Sequence, residues 1–482
     1  LVAIAIRWVR LPYTIALVIV GLILGWLGES MFSGIEPGGG LLSAELILFI
    51  ILPPLLFEGS SAMHIEKLKS NWRTISLLAI PGVIINTLVI ALICWRLIWW
   101  GEEHGFLYGL LIGSILAATD PVSVLALVRN LGAPKRLSVL LEGESLFNDG
   151  TAIVLFNIIL LTTLSVIAGE SIGFGEVMTN GIATFIVVVT VGVVVGYLCG
   201  MVANHLLHQS EDHLVEIALT VALAFGSFLL AELMHGSGVI SVVVAGLLVG
   251  NKGAPEGMTP TARVGLHHFW EVVSFLVNSI LFLVVGYELQ SVIAWNLHTG
   301  FLALVAIMSA LIARLVVFPL TGIANIGEVN KIDRKWQFAM WWGGLRGSIP
   351  IALLLLLSHI VHDGQALLIG SNTVNVRLDD AIYSDMLILA FSVILFTLIV
   401  QGLTMKSLLD KLGIGGRLAE SEARYESALA HLVASRAALR KLSSLSSQGM
   451  ISEVDRERLA EPYHVSIEKS KSRILELSET SL

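Results

Sequence analysis

Twelve apolar runs, each about the length that crosses a lipid bilayer, constrain this chain more than any other feature. A membrane-spanning helix needs about 20 mostly apolar residues. The runs lie at roughly 11–28, 41–62, 74–98, 106–128, 137–163, 181–203, 213–234, 237–251, 268–289, 300–324, 336–360 and 383–404. We expect residues 1–6 to be the end of one further apolar helix. The sequence therefore predicts an all-α polytopic membrane protein with 12–13 transmembrane helices.

The composition agrees with a membrane protein and excludes several other classes. Only 14% of the 482 residues are charged, whereas soluble domains carry about 25%. A soluble enzyme and a nucleic-acid-binding protein are therefore excluded, and the two cysteines lie in apolar runs that do not indicate a disulfide scaffold. Charged residues become frequent only near the end of the chain. We expect a transmembrane domain over residues 1–410 and a helical tail over residues 411–482.

Lys and Arg concentrate in every second predicted loop, which indicates the orientation of the spans. The basic side of the predicted bundle carries Arg7, Arg10, Lys67, Lys69, Arg73, Arg129, Lys135, Arg136, Lys252, Arg263, Lys331, Arg334, Lys335, Lys406, Lys411 and Arg417. The loops 29–40, 99–105, 164–176 and 290–299 on the other side have neither residue type. We therefore predict a multi-pass protein of the cell membrane whose tail is cytoplasmic.

A charged residue and a proline interrupt the apolar run at 106–128. The segment Ala118-Thr119-Asp120-Pro121 lies in its middle. A charge at this depth costs about 2.5–3.5 kcal/mol on insertion scales, and a proline removes a backbone hydrogen-bond donor. The pattern predicts a helix that is broken within the membrane. The alternative is a packing kink in which Asp120 fixes the helix ends and binds no substrate.

The run at 336–360 contains a second interruption, Gly343-Gly344-Leu345-Arg346-Gly347-Ser348-Ile349-Pro350. Glycines, an arginine and a proline again occur within one apolar span. Two interrupted helices, one in each half of a chain, are typical of transporters built from inverted repeats, in which the substrate site lies near the bilayer midplane. The fold prediction therefore includes inverted repeats with two broken crossing helices.

Oxygen-bearing side chains cluster in the run at 137–163. Glu144 and Asn148 are four residues apart, as are Ser145 and Asp149, so each pair shares one helix face. Serine, amide and carboxylate oxygens suit a hard cation or a proton, and no His–Cys arrangement indicates zinc. Two further charges in apolar runs are Arg314 and Glu58, the latter following Pro53-Pro54.

At these residues the sequence resembles the NhaP-type sodium/proton antiporters, the branch of the monovalent cation/proton antiporters that includes the animal sodium/proton exchangers. The resemblance covers roughly residues 1–410. It rests on six motifs that occur in the family's order, namely Arg10-Leu11-Pro12-Tyr13-Thr14, Pro53-Pro54-Leu55-Leu56-Phe57-Glu58, Thr119-Asp120-Pro121, Gly143-Glu144-Ser145-Leu146-Phe147-Asn148-Asp149, Gly344-Leu345-Arg346-Gly347 and Val400-Gln401-Gly402. No family motif is seen in the loop at 361–382.

The resemblance implies a homodimer with a dimerisation domain and a six-helix core of two inverted repeats. It implies that Asp149 is the carboxylate that binds the cation and the proton. Ser145 and Glu58 are then nearby ligands, and Thr119 contributes through its backbone. Asn148 stands where electrogenic relatives have a second aspartate, which implies one-for-one electroneutral exchange.

The resemblance also implies structural roles for the remaining charges. Glu144 and Arg314 correspond to the family's structural ion pair. Arg346 and Asp120 correspond to charges placed where the helices break. One departure is Pro350, which stands where the family often has a small or polar residue.

The predicted function is secondary active sodium/proton antiport by competition at Asp149. No cofactor is expected, and the transported ions are H⁺ and Na⁺, with Li⁺ or K⁺ left open. A potassium/proton or electrogenic antiporter is the alternative within the class. An ion channel would need a continuous pore, which the broken helices oppose. An intramembrane protease could use Asp120 and Asp149, or the serine of His235-Gly236-Ser237-Gly238, but neither has the expected motif context, so we predict that the protein is not an enzyme.

Overall fold

The computed structural model describes residues 13–31, 47–120, 124–125, 128, 131, 133–169, 174–210, 212–292, 296–324, 331–363, 365–369, 372–376, 378–414, 417–448, 450 and 452–479. Helices account for most of them. In the first half these are α1 (Tyr13–Met31), α2 (Leu52–Ser61), α3 (Ile65–Ser70), α4 (Trp72–Ala79), α5 (Pro81–Leu97), α6 (Gly105–Ala117), α7 (Lys135–Ile167), α8 (Phe174–Leu207) and α9 (His213–Leu233). A π-helical turn at Ile47–Ile51 leads into α2.

The second half continues the helical pattern. Its helices are α10 (Gly238–Leu248), α11 (Pro260–Val292), α12 (Leu297–Ala324), α13 (Arg334–Trp342), α14 (Ser348–Asp363), α15 (Asp380–Phe396), α16 (Gly402–Leu412), α17 (Arg417–Ser447) and α18 (Glu453–Glu479). π-Helical segments follow α10 at Val249–Gly257 and α15 at Thr397–Gln401.

Every one of the twelve predicted runs coincides with an apolar helix in the described part of the chain. Eight helical stretches are long and apolar enough to cross a membrane, namely Trp72–Leu97, Lys135–Ile167, Thr179–Leu207, His213–Leu233, Gly238–Gly257, Pro260–Val284, Leu297–Ala324 and Asp380–Leu412. The shorter apolar helices are Ala16–Leu27, Phe49–Ser61, Gly105–Ala117 and Ile349–Ser358. Two of these shorter helices flank the interruptions at residues 118–120 and 343–347. The predicted polytopic helical fold with broken helices is confirmed.

Glycines let neighbouring helices pack with their backbones in contact. Gly105, Gly109 and Gly113 recur every four residues along α6. A methyl group added at Gly109 or Gly113 would overlap the backbone of Ala91 or Thr87 on α5. Small residues at this spacing are a common helix-packing device in membranes, where close contact supplies much of the attraction.

One short β-hairpin accompanies the helices of the described chain. Strands β1 (Gln365–Ile369) and β2 (Asn372–Val376) form an antiparallel pair in which Gln365 faces Val376 and Ile369 faces Asn372. The sequence between the strands is Gly370-Ser371, a dipeptide typical of two-residue hairpin turns. The residues of β1, Gln365-Ala366-Leu367-Leu368-Ile369, do not alternate between apolar and polar types, which is the pattern that indicates a half-buried strand.

The chain forms two compact units. One contains Leu1–Leu125 and Val139–Lys406, and the other contains Ala126–Ser138 and Ser407–Leu482. Within the second unit, α17 and α18 pack together and bury Ala428 and Leu432 of one helix and Ile467 of the other. Leu429, next to the buried Ala428, is exposed.

Candidate cation-binding site

The first helix break follows α6. The helix ends at Ala117, and Ala118 adopts an extended backbone with φ −62° and ψ 138°. Thr119 and Asp120 continue without helical structure. A residue that precedes proline is disfavoured in the helical region, which explains why the chain leaves the helix before position 121. Pro121 itself lies outside the described residues.

The second break separates α13 from α14. Helix α13 ends at Trp342, and residues 343–347 are non-helical before α14 begins at Ser348. Three of these five residues are glycines, which are the poorest helix formers after proline. The predicted interruption at Arg346 therefore has a local cause in the sequence.

The two breaks contact each other. The backbone N–H of Asp120 donates a hydrogen bond to the carbonyl of Leu345 over 2.8 Å. The Nη1 atom of Arg346 donates to the carbonyls of Ala117 and Ala118 over 2.8 and 2.9 Å. These carbonyls belong to the C-terminal end of α6, where a positive charge is favourable. Arg346 is only 1% exposed, so it joins the two interrupted spans from within the protein.

Two glycines of the second break make room for charged side chains. A methyl group added at Gly347 would overlap the carboxylate of Asp120, and one added at Gly344 would overlap the guanidinium of Arg314. Both charged groups therefore lie directly against the backbone of residues 343–347.

We expect the Gly347→Ala variant to displace the Asp120 carboxylate and to lower the exchange rate at least about tenfold, because overpacking of a tight contact costs about 1–3 kcal/mol. Cation-driven proton flux in proteoliposomes measures this. The matched control is Gly322→Ala on α12, where an added methyl group has open space. Equal flux in the two variants would contradict the proposed contact.

The oxygen-bearing face of α7 is held against the first break. Ser145 Oγ donates a hydrogen bond of 2.5 Å to the carbonyl of Thr119. Asn148 Nδ2 donates to Thr119 Oγ1 over 3.1 Å, and Asn148 is 1% exposed. Because Ser145 and Asn148 lie one turn apart on the helix, the two bonds together fix the carbonyl and the hydroxyl of Thr119.

Asp149 follows Asn148 on the same helix and is partly buried. It interacts electrostatically with Asp120 and with Arg346. The hydroxyl of Ser145 lies one turn before it. This part of the structure therefore brings a carboxylate, a hydroxyl and a backbone carbonyl to the place where the two breaks meet.

The charges of Glu144 and Arg314 form a buried ion pair. Arg314 Nη2 lies 3.0 Å from Glu144 Oε1. The guanidinium also donates from Nε and Nη2 to the carbonyl of Met340, over 3.2 and 2.9 Å. Met340 belongs to α13, so the pair connects α7, α12 and the interrupted span.

Glu58 lies on α2 with a partly buried side chain. A methyl group added at the adjacent Gly59 would come 3.9 Å from Leu146 Cδ1, so this turn of α2 neighbours the site face of α7. Its role as a ligand stays a prediction.

The available donor chemistry suits a small hard cation. Across the residues that the structure describes, no three His, Cys, Asp or Glu side chains cluster as a metal site. Oxygen donors from a carboxylate, a hydroxyl and carbonyls are those that alkali and alkaline-earth ions use. Ser237, considered above as a nucleophile, instead caps α10 by accepting a hydrogen bond of 3.2 Å from the N–H of Ile240.

Sequence reasoning missed the residues that hold Arg346 from the other side. The N–H of Arg346 donates to Thr397 Oγ1 over 3.1 Å. Thr397 begins the π-helical turn that ends at Gln401. The motif Val400-Gln401-Gly402 was visible in the sequence, but nothing in the sequence connects it with position 346.

Interrupted apolar helices that meet beside a carboxylate-bearing helix define a membrane transporter of the broken-helix class. Residues 1–411 match the transmembrane family described as the sodium/hydrogen exchanger. The chain belongs to this family. It is therefore a multi-pass membrane protein of an antiporter family, as the sequence motifs predicted.

Individual relatives agree with this assignment. The Na⁺/H⁺ antiporter ApNhaP of Aphanothece halophytica is 39% identical over 443 residues, which cover 90% of this chain and 75% of the relative. The Na⁺/H⁺ antiporter NhaP of Pseudomonas aeruginosa is 31% identical and covers 87% of this chain and 95% of the relative. These relatives are named as transporters and not as enzymes.

A solved structure has a similar fold. The sodium proton antiporter MjNhaP1 of Methanocaldococcus jannaschii aligns with a TM-score of 0.63 at 20% identity. The alignment covers 85% of this chain and 95% of the other.

Proposed function

We propose that the protein is a secondary active sodium/proton antiporter in which Na⁺ and H⁺ compete for Asp149. The observation that carries the proposal is the position of this carboxylate on α7, one turn after Ser145, which is itself bonded to the broken helix at Thr119. The names of the relatives support Na⁺ and H⁺ as the ions. Neither ion requires a cofactor.

Competition follows from the cost of moving a bare charge through a low-dielectric barrier. A carboxylate that carries a proton or a cation is neutral, whereas an empty one is costly to bury. Only the two neutral forms of Asp149 are then expected to move between the two sides. Movement of the core against the dimerisation domain is expected to open the site to each side of the membrane in turn. Proton release on one side and cation release on the other then produce exchange.

The surrounding groups have distinct proposed roles. Ser145 and Glu58 offer side-chain oxygens to the cation, and the carbonyl of Thr119 keeps a second lone pair beyond the one that Ser145 uses. Asp120 and Arg346 determine the electrostatic potential where the two helix breaks meet.

Asn148 is the basis for proposing electroneutral exchange. Its amide does not titrate, and its Nδ2 already donates to Thr119. One titrating carboxylate carries one proton or one monovalent cation, so each turnover moves no net charge.

We expect sodium-driven proton flux to be independent of membrane potential. Proteoliposomes clamped with K⁺ and valinomycin at different potentials provide the measurement. The contrasting variant is Asn148→Asp, which adds a second carboxylate and is expected to make the flux follow voltage. A wild-type rate or endpoint that follows the imposed voltage would instead favour the electrogenic alternative.

Cation identity is tested in the same vesicles. With a pH-sensitive dye trapped inside, external Na⁺ is expected to drive protons out and make the lumen alkaline. Li⁺ and K⁺, added in turn, test the potassium/proton alternative. An alkaline shift with K⁺ and none with Na⁺ would overturn the proposed selectivity.

We further propose a homodimer in the cell membrane, with the residues beyond about 411 on the cytoplasmic side. The basic loops of that side support this orientation through the positive-inside rule. Labelling of single cysteines placed at Glu66 and at Glu102 tests this orientation, in otherwise cysteine-free protein in intact cells. Both positions are exposed, and they lie in connections between spans that are predicted to be on opposite sides of the membrane. A membrane-impermeant reagent is expected to react only with the cysteine at position 102. The homodimer is tested separately by measuring the mass of the protein in nanodiscs.

A further inference from the structure

The π-helical turn Thr397–Gln401 is a structural feature without a role in the cation site as described. It interrupts an otherwise continuous helix between α15 and α16. Such turns occur often at functional sites, because they redirect side chains from the regular helical positions. Here both end residues are buried, with Thr397 4% and Gln401 2% exposed. Both belong to the wall of the second break.

Thr397 holds the backbone of Arg346. Its Oγ1 accepts a hydrogen bond from the N–H of Arg346 over 3.1 Å and donates to the carbonyl of Ile394 over 3.0 Å. This hydroxyl therefore fixes where the backbone of residue 346 lies. It leaves the direction of the guanidinium to be determined by other groups.

A small cavity lies between the guanidinium and the turn. Arg314, Gly344, Arg346, Thr397 and Gln401 line it together with apolar side chains. The volume that the centre of a water molecule can reach is about 10 Å³. A site for one water needs about 10–15 Å³ by this measure, whereas pockets for organic ligands have about 300–1,000 Å³. The cavity therefore has room for one water molecule and not for a substrate.

Two of the residues that line this cavity carry complementary polar atoms that have no hydrogen-bond partner within the described residues. One is the donor Nε of Arg346 and the other is the acceptor Oε1 of Gln401. Buried polar atoms in native proteins are almost always paired with protein or with ordered water. A water molecule can accept from the first atom and donate to the second, which satisfies both.

We propose that this cavity binds one ordered water molecule, and that through it Gln401 is a positioning residue for Arg346. The guanidinium then has two anchors, the water at Nε and the carbonyls of Ala117 and Ala118 at Nη1. Those carbonyls immediately precede Thr119, whose own carbonyl accepts from Ser145. Gln401 therefore controls the geometry of the cation ligands without touching the cation. This inference rests on the proposed antiport function.

The direct test is a structure of the protein in nanodiscs at a resolution that shows ordered water. Density is expected within hydrogen-bond distance of both Arg346 Nε and Gln401 Oε1, and it is expected to disappear in Gln401→Met. A direct bond between the two side chains, or no density between them in the wild type, would overturn the proposal whether or not the protein transports Na⁺.

The functional test compares the apparent KM for Na⁺ with the melting temperature. Loss of a hydrogen bond to a charged group predicts an apparent KM about tenfold higher in Gln401→Met. Gln401→Asn, which keeps an amide and leaves space for water, is expected to recover part of this change. The matched control is Gln337→Met on α13, which is partly buried and lies outside this cavity.

The outcomes separate this inference from the proposed function. A lower melting temperature with an unchanged KM in Gln401→Met would show a merely structural role and overturn the positioning role. Wild-type vesicles without sodium-driven proton flux would overturn the antiport proposal itself. Wild-type flux with equal KM values in Gln401→Met and Gln337→Met would overturn only the role of Gln401.

Discussion

The Asp149→Asn variant is expected to lose sodium-driven proton exchange completely while remaining folded. Asparagine has nearly the same size but can neither release a proton nor carry a charge to balance a cation. The hydrogen bonds of Ser145 and Asn148 to Thr119 do not involve Asp149, so the helix contacts that hold the site should survive. Dye-based flux in proteoliposomes and the elution volume of the purified protein measure the two parts of this expectation.

The matched control for this variant is Glu66→Gln, which makes the same chemical change at an exposed position of α3. Its flux is expected to equal that of the wild type. Exchange at the wild-type rate in Asp149→Asn would show that another group carries the proton and would refute the mechanism.

Breaking the Glu144–Arg314 pair is expected to lower the free energy of unfolding by about 3–5 kcal/mol, because the remaining partner becomes an unpaired buried charge. The Arg314→Met change should cost more than Glu144→Gln. The reason is that Arg314 also supplies both hydrogen bonds to the carbonyl of Met340, whereas in Glu144→Gln these bonds persist. Melting temperatures in detergent provide the comparison.

The double variant Glu144→Gln with Arg314→Met removes both charges and is expected to recover part of the loss. Two single losses that simply add in this cycle would show that the residues do not interact energetically. Glu468→Gln is the matched control, since Glu468 and Lys471 form an ion pair of 2.8 Å at the exposed surface of α18. Exposed pairs contribute little to stability, so its melting temperature should hardly change.

The helical spans and both interruptions could be predicted because their causes are local in sequence. Length and hydropathy determine the spans. The prolines and glycines near Thr119 and Arg346 disfavour helical structure there, and a charge inside an apolar run requires a partner or a function. The spacing of Ser145 and Asp149 likewise follows from helix geometry alone.

Contacts between distant segments could not be predicted in the same way. Arg346 bonds to the carbonyls of Ala117 and Ala118, and no feature of position 346 specifies those two among all the carbonyls of the chain. The steric role of Gly347 depends on where Asp120 lies, which only the folded structure shows. Asn148 Nδ2 donates to the side chain of Thr119, which lies 29 residues earlier in the chain and which no feature of position 148 specifies.

The most direct test of the account is the dependence of sodium affinity on pH. Sodium-driven proton flux is measured in proteoliposomes over a range of Na⁺ concentrations at several pH values. Because Na⁺ and H⁺ are proposed to exclude each other at Asp149, the apparent KM for Na⁺ should rise in proportion to proton concentration on the acid side, while the maximal rate changes little. An apparent KM that stays constant across that pH range would show that the two ions do not share one site.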